Sequence, residues 1–525
     1  MNMKKIAILP ALTILCFAQT SNAVDYYWVS NWGSSYGKFS TPEEACKDAL
    51  DDYNWRGIDP SKDPDGRGVE SITNRFMTLY YPAKRYPYPY YLCGGTFNFI
   101  DPDRPSRVSK GISAAYRRGD ECPPGTSHND TTGECTNDRN KGDSCGIDKD
   151  SSPNKGNPIN IAIGNKFQKE IDLKSGGNSY LTFWRAYNSL DGVWRHSYST
   201  HLRVLPHSAA VVFADGRETF FEIQNGQITP VGTEVGSLTE LTDGWLYKTT
   251  TNQQLTFNNQ GKLTDIVSPQ SHIQFAYSGT NVTVSDHLGN SAVITVRSDG
   301  QPLHVQAFGS EVDYSYDDDN RLVSVVYPDG TGRRYHYNES SHTSGADLPD
   351  ALTGISEVDA VGNEVRYATY GYDDKGRAIS SAHANGADLI TLTFNDNGTT
   401  TVTNPLGKQS TYHFEEIHGV YKITQVEGHP AAGCAGANKA YTYDAHGFTT
   451  SKADWNGNLT TYTRDAKGRE ISRTEASGTP EAKTITTEWH PDFHLPVRIT
   501  EPSKVTEFSY DTQGRLLSKQ ERSVQ

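Results

Sequence analysis

The stretch YDDDNRLVSVVYPDGTGRRYHY, Tyr316 to Tyr337, decides the fold. It opens on tyrosine and a run of acids, turns at Pro328-Asp329-Gly330, and ends on tyrosine again. Asp and Asn fold a chain back through their side-chain acceptors, and Gly supplies the positive φ that a hairpin needs. Two such turns in one stretch leave room for two strands of roughly five to seven residues each. The stretch therefore reads as a two-strand unit rather than as a binding site.

The unit recurs. After Tyr316 and Asp317, the opening motif returns as YDDKGRAIS with Tyr372, Asp373, Gly376 and Arg377, and as YDAHGFTTS with Tyr443, Asp444 and Gly447. It returns again as RDAKGREIS with Asp465, Gly468 and Arg469, and as YDTQGRLLS with Tyr510, Asp511, Gly514 and Arg515. Degenerate copies begin at Phe257 and Phe394, and weaker ones near Tyr277, Arg297, Tyr337, Phe414 and Trp489. A second turn runs out of phase with the first, at Asp286, Pro328, Asp359, Asn404 and Asp454. Most steps are close to about 21 residues, which gives about twelve units, and the recurring tyrosine can stack as a ladder along the sheet. At roughly 4.8 Å per strand such an array makes about 115 Å of sheet, one turn of a cylinder about 37 Å wide. The expected architecture is mainly β, an antiparallel strip or partial hollow shell whose edges must be blunted, covered or paired.

Composition agrees. The chain has 525 residues, too many for one core, with 30 tyrosines, 47 glycines and only three methionines. Residues 1–23 read as a secretory signal: Lys4 and Lys5, an apolar run from Ile6 to Ala18, and a small-residue cleavage site at Ser21-Asn22-Ala23. The apolar run is short of the ~20 residues that a span requires, and no other stretch could cross a bilayer as a helix. Without the signal, 47 basic face 63 acidic residues, a net charge of −16, which argues against a nucleic-acid partner. The expected location is exported: periplasmic, cell-surface or extracellular.

Six cysteines remain after the signal: Cys46, Cys93, Cys122, Cys135, Cys145 and Cys434. An even number in an exported chain points to disulfides, and fifteen connectivities are open. Five of the six mark residues 24–150 as a small disulfide-rich domain. Within it TPEEACKDALDDY, with Thr41 as N-cap and Glu44 closing a capping box, predicts a short helix that carries Cys46. YYPAKRYPYPYYLCGGTF mixes tyrosine and proline densely, which predicts an edge strand or extended segment ending near Cys93. Cys122 and Cys135 flank a turn-rich stretch suited to a small closed hairpin. No close cysteine pair or spaced histidines suggest zinc, and a calcium loop at DPSKDPDGRGVE fails because Ile72 stands where the bidentate glutamate belongs. The linker-like DKDSSPNKGNP, from Asp148, sets the boundary to a β-rich domain over residues 151–250, and the repeats fill residues 251–525.

The repeats resemble the YD repeats of the RHS family, since several copies keep both the Tyr-Asp pair and the following Gly-Arg. Independently, GNPINIAIGNKFQKEIDL, with Gly156, Asn157, Pro158, Gly164 and Asn165, followed by FWRAYNS, with Arg185, Tyr187 and Asn188, resembles the domain of unknown function that precedes bacterial RHS repeats. The resemblance implies a scaffold: in bacterial RHS proteins, insecticidal toxin-complex subunits and teneurins such repeats coil into a hollow β-shell, which in the toxins holds a C-terminal effector. No DPxGL-like segment closes the repeats here and no nonrepetitive stretch follows the last one, so an enclosed toxin and an autocleavage step are not expected.

An enzymatic reading has little to stand on. His196 lies near Ser197 and Ser199, but neighbours on a strand point to opposite faces. Asp317, Asp318 and Asp319 match turn residues of the other units rather than a metal cluster. Phosphate-binding and hydrolase motifs are missing, and no catalytic residue, cofactor or metal is expected. The expected partners are a second RHS-repeat or toxin chain, or an envelope glycan met by an aromatic surface such as Tyr80 to Tyr91. The two separate on one point, because a scaffold buries its repeat tyrosines and a glycan surface turns them to solvent.

Overall fold

The structure is a computed structural model. It describes residues 152–524 apart from 176–178, 205–207, 234–235, 298–299 and 431–435. Ahead of these it describes residues 45–47, 50, 93 and 140–142, and the backbone of six strands from Tyr27–Ser30 to Cys135–Thr136. By internal contacts the chain divides into two units: Met1–Tyr80 with Tyr90–Glu121, and Tyr81–Pro89 with Cys122–Gln525.

The first unit holds a four-stranded antiparallel sheet in the order Tyr27–Ser30, Arg107–Arg118, Tyr90–Phe99, Val69–Tyr80. Cys46 stands on the predicted helix, of which residues 45–47 and 50 are described, and it is bonded to Cys93. Both cysteines are buried, with Ala45 and Leu50 beside Cys46 on the buried side of the helix. One expectation is corrected: Cys93 lies inside Tyr90–Phe99, an interior strand paired on both sides, not at the end of an edge segment. The prolines that demoted it, Pro82, Pro87 and Pro89, all precede Tyr90, so the strand itself keeps every amide donor. Cys122, Cys145, Cys434 and the side chain of Cys135 lie outside the described residues, as do the side chains of Tyr80 to Tyr91.

In the second unit Ser127–His128 pairs antiparallel with Cys135–Thr136, and two larger antiparallel sheets follow. One runs Val193–His196, Thr182–Asn188, Asn165–Lys174, Ile159–Asn160, Asn154–Lys155, and the other His201–Val204, Ser208–Val212, Glu218–Gln224, Gln227–Pro230. From Ser237–Leu241 to Leu516–Ser523 follows a single 26-stranded sheet in which every strand lies beside its sequence neighbours. All its pairings are antiparallel and none joins the first strand to the last, so the sheet is open. Among the described residues no helix is long and apolar enough to cross a membrane.

The repeat motif explains the regularity. Tyr316, Tyr372, Tyr443 and Tyr510 each end a strand, and the register toward the next strand shifts at that residue. Each hydroxyl donates across to a carbonyl of the preceding strand: to Pro302 at 2.8 Å, Leu352 at 2.9 Å, Ile423 at 2.7 Å and Pro496 at 2.8 Å. The aspartate that follows accepts two turn amides on one oxygen, as Asp373 does from Lys375 and Arg377. Its other oxygen takes the arginine Nε, at 2.8 Å in Asp317–Arg321, 2.7 Å in Asp373–Arg377, 2.8 Å in Asp465–Arg469 and 2.6 Å in Asp511–Arg515. Asp444 makes the two amide bonds without the arginine, since Phe448 stands in that place. The out-of-phase turns at Asp286, Asp359 and Asp454 cap themselves in the same way.

The main core cluster runs from Ile159, Phe183, Tyr187 and Trp194 of the leading β-domain to Leu322, Tyr335, Ile355, Tyr370 and Val402 of the repeats, and a small separate cluster of Ile423, Val426 and Tyr441 follows. From Asn438 onward the buried side chains are Tyr441, Phe448, Ile485, Val505 and Thr506, and the final strand Leu516–Ser523 is exposed throughout. The leading domain thus supplies its apolar face to the earlier repeats.

Turn glycines such as Gly376, at φ 78°, and Gly514, at φ 79°, occupy the left-handed region. Valine at either position should cost about 1 kcal/mol or more, read as a lowered thermal midpoint. A midpoint equal to that of the parent chain for both variants would contradict the turn assignment.

Candidate functional site

The strand Asn165–Lys174 presents an unusual face to the repeats. Lys166, Gln168 and Glu170 alternate along it and are all buried, as is Phe167, while Lys169 and Ile171 on either side of Glu170 are exposed. Asp172 is the residue skipped where the register shifts between Phe183 and Trp184, and such a bulge re-aims a side chain. Its carboxylate is closed off from solvent and receives Arg185 through Nε at 2.6 Å and Nη2 at 2.9 Å. Two repeat tyrosines add their hydroxyls, Tyr314 at 2.9 Å and Tyr327 at 3.3 Å. Arg185 in turn donates to the Tyr335 hydroxyl at 2.8 Å, and its guanidinium lies 4.8 Å from the Trp194 ring centre.

The electrostatics follow from burial. Burial disfavours the charge of Arg185, but Asp172 together with Tyr335 and Tyr314 outweighs it and holds the guanidinium pKa well above its usual value. Burial, reinforced by the nearby Asp172 charge, raises the phenol pKa of Tyr314 and Tyr327, so both stay neutral and able to donate. Burial pushes Lys166 well below the usual lysine range, partly offset by Glu170. Lys166 Nζ donates to Gln168 Oε1 at 2.8 Å and lies 4.2 Å from the Tyr370 ring centre. Tyr370 also donates to Gln168 Oε1, at 2.9 Å, and Gln168 Nε2 donates to Glu170 at 2.6 Å. A polar seam therefore joins the leading domain to repeat strands more than a hundred residues away.

Beside the seam opens a cavity of about 920 Å³, walled by Asn157, Lys169, Tyr327, Asp329, Arg333 and Tyr367 among others. Arg333 meets Glu170 and Glu357, each at 3.3 Å, and lies 4.5 Å from the Tyr367 ring centre. Arg333 Nη1 is buried and makes no hydrogen bond, and the same holds for Arg185 Nη1.

The remaining motif residues of the leading domain converge on the same repeats. A Cβ at Gly164 would lie 2.5 Å from that of Arg377, and the Gly164 carbonyl accepts the Ala378 amide at 2.8 Å. Gly156, at φ 66°, leads into Asn157, whose amide donates to Ser381 Oγ at 3.3 Å, and Pro158 helps wall the cavity. The Tyr187 hydroxyl donates to the Asp350 carbonyl at 2.6 Å and accepts the Leu352 amide at 3.0 Å. Asn188 Oδ1 accepts from Asn165 at 2.9 Å and from the Gly142 amide at 2.8 Å. Residues 140–142 insert here: Asn140 donates to the Gly419 carbonyl at 2.8 Å, and Lys141 pairs at 2.6 Å with Asp191, buried and shared with Arg195. Nothing in the sequence pattern marked Asp172, Gln168, Glu170, Arg333 or residues 140–142, because their partners are remote in the chain.

The side chains weighed for catalysis are placed otherwise. His196 is buried and stacked 5.6 Å from Phe183, with Nδ1 accepting the Tyr198 amide, while Ser197 Oγ accepts the Trp184 amide and Ser199 Oγ donates to the His196 carbonyl. Asp317 is spent on its turn and Asp319 pairs with Arg321 at 3.0 Å. Among the described residues no group of three His, Cys, Asp or Glu could hold a metal ion.

Comparison with known families matches the domain of unknown function DUF6531 over residues 156–221 and the RHS repeat over residues 298–340. No curated protein matches the chain. Solved structures that match include the TcdB2-TccC3 complex, at 10% identity over 92% of this chain and 32% of that one with a TM-score of 0.32. The same complex with Cdc42 matches at 10% identity over 66% and 22%, also with a TM-score of 0.32. This chain thus spans about a fifth to a third of the length of those solved chains.

Two measurements probe the seam. Arg185→Met leaves Asp172 buried and unpaired, which should cost about 3–5 kcal/mol in urea unfolding, whereas Arg185→Met with Asp172→Leu should recover much of that loss. A single variant no less stable than the double would contradict the buried pair. Burial lowers the His196 pKa to about 4, with the Gly300 backbone opposing it in part. The unfolded chain then binds a proton that the folded chain refuses, so stability falls as pH drops from about 6.5 toward 4, by up to ~1.4 kcal/mol per pH unit. His196→Gln should shrink the stability difference between pH 7 and pH 5 by about 2 kcal/mol; an unchanged difference would place the titration elsewhere.

Proposed function

The chain is an RHS/YD-repeat protein with DUF6531 ahead of its repeats, and from that premise we propose that it is an exported, non-enzymatic scaffold, part of or derived from a polymorphic-toxin or cell-surface interaction system. The observation that carries this reading is where the repeat tyrosines go. Of the Tyr-Asp tyrosines Tyr372 is buried, and the half-buried Tyr316, Tyr443 and Tyr510 give their hydroxyls to neighbouring strands, while Tyr314, Tyr335 and Tyr370 of the repeat strands are buried against the leading domain. They hold the sheet together and bind the leading domain to it, which is the work of a framework. An aromatic row for glycans would need those rings in solvent.

The partner side of the proposal rests on the uneven core. The leading domain buries the face of the earlier repeats, and beyond Asn438 few side chains are covered. A second RHS-repeat or toxin chain is the partner that this uncovered stretch suits, since its strands offer the same two-strand spacing to a like sheet. Residues 1–23 direct the chain across the inner membrane, and it works in the periplasm, at the cell surface or outside the cell.

The test is affinity purification of the full chain from the envelope and secreted fractions, with mass spectrometry of what accompanies it. A stoichiometric second chain with YD repeats or a toxin-like domain is expected. Recovery as a lone monomer, or only from the cytoplasm with residues 1–23 still attached, would defeat the reading.

A further inference from the structure

The cavity beside the seam is independent of the scaffold reading, and its chemistry is specific. Its walls combine two tyrosine rings, Tyr327 and Tyr367, with the Arg333 guanidinium, the exposed Lys169 and polar atoms of Asn157 and Asp329. Its volume of about 920 Å³ falls within the range of small-molecule sites, roughly 300–1,000 Å³. Tyr327 is held in place by its bond to Asp172, which pre-organises that wall, and the Arg333 guanidinium lies over Tyr367.

Arg333 is the under-satisfied member. A buried guanidinium nitrogen without an acceptor is costly, and in a folded protein such a group calls for a missing partner. The partner cannot be a backbone group already in place, because Nη1 makes no hydrogen bond. Of the two carboxylates that touch Arg333 at 3.3 Å, Glu170 is buried and already takes Gln168, whereas Glu357 is exposed. An exposed pair of that kind contributes little, so Arg333 can leave Glu357 at small cost and turn its two terminal nitrogens to an incoming anion.

The anion must carry a single charge. Asp172 is already neutralised by Arg185, which leaves Glu170 and Asp329 against Lys169 and Arg333 in the lining, a site without net charge that favours one carboxylate over doubly charged phosphate. A planar carboxylate also matches the guanidinium fork in two-point geometry. The rest of the ligand must present C–H faces to Tyr327 and Tyr367 and hydroxyls to the polar rim. We propose that this cavity binds a hydroxyl-rich monocarboxylate of the uronic-acid class, with Arg333 exchanging Glu357 for the ligand carboxylate and the two tyrosines flanking the sugar ring.

The test titrates the full chain with D-glucuronate, with glucose and inorganic phosphate as counterparts, by calorimetry or saturation-transfer NMR. Glucuronate should bind saturably, at least tenfold more tightly than glucose or phosphate. Arg333→Gln should erase that preference with the thermal midpoint checked in parallel. Glu357→Gln, an exposed change that removes the competing carboxylate, should tighten glucuronate binding at least twofold, which a merely structural Arg333 would not do. The Glu357 variant decides the matter alone if Arg333→Gln does not fold. No saturable glucuronate signal, equal binding of glucose or phosphate, or a Glu357→Gln variant with unchanged or weaker binding would overturn the proposal.

Discussion

A tyrosine hydroxyl given to a carbonyl across the strand gap, followed at once by an aspartate that takes two amide protons of the next turn, sets every well-kept boundary of the repeat sheet. The hydroxyl fixes where a strand stops relative to the one before it. The carboxylate fixes how tightly the chain reverses, and where arginine follows the glycine it pins the carboxylate in turn. Both contacts are local, so each unit carries its own instructions for register. A 26-stranded sheet can then be assembled from nearest-neighbour pairings, with no strand required to find a distant partner.

The leading domain works by the opposite logic. It is joined to the repeats by groups far apart in sequence: Arg185 with Tyr335, Tyr187 with Leu352, Gly164 with Ala378, Asn140 with Gly419. Several of these are buried polar or charged groups, which add less stability than apolar packing would and penalise any misplaced arrangement heavily. Asp172 has four donors on its two oxygens, two of them from Arg185, and loss of that arginine would leave an unneutralised charge in a water-free place. We read the seam as a specifier of how the domain seats, with the aromatic core around Phe183 and Trp194 supplying the bulk of the adhesion.

The contrast explains what the sequence disclosed. Turns, strand pairs and the repeat period were legible because Asp, Gly and Tyr act within a few residues of where they stand. The helix bearing Cys46 was legible from the sequence around it, although its expected cap residues Thr41 and Glu44 lie outside the described residues. Tyr90–Phe99 was misjudged because prolines just outside it coloured the reading of an interior strand. The Cys46–Cys93 bond is one of fifteen pairings, and nothing local distinguishes it. Asn165–Lys174 only partly obeys a hydrophobic-in reading: Phe167 and Leu173 are buried, but so are Lys166, Gln168 and Glu170, while Ile171 is 59% exposed. Only the repeat surface opposite, with its tyrosines and Arg333, makes that face intelligible. The motif residues Gly164, Arg185, Tyr187 and Asn188 were visible by resemblance, but their roles depend on partners from residue 142 to residue 378.

The two kinds of turn lie on opposite rims of the sheet, because consecutive reversals of a meander alternate between its ends. The Tyr-Asp turns at Asp317, Asp373, Asp444, Asp465 and Asp511 therefore share one rim, and those at Asp286, Asp359, Asn404 and Asp454 share the other. Growth or shrinkage of such a chain is quantised. Gaining or losing two strands leaves every later residue on its original rim and face, whereas a change by one strand would reverse the direction of all that follow and carry their turns to the wrong side. Duplication and recombination within the gene are thus filtered by parity, and the long step between Tyr337 and Tyr372 obeys the rule: the added residues sit in the loop 338–351, while the strands on either side remain a pair.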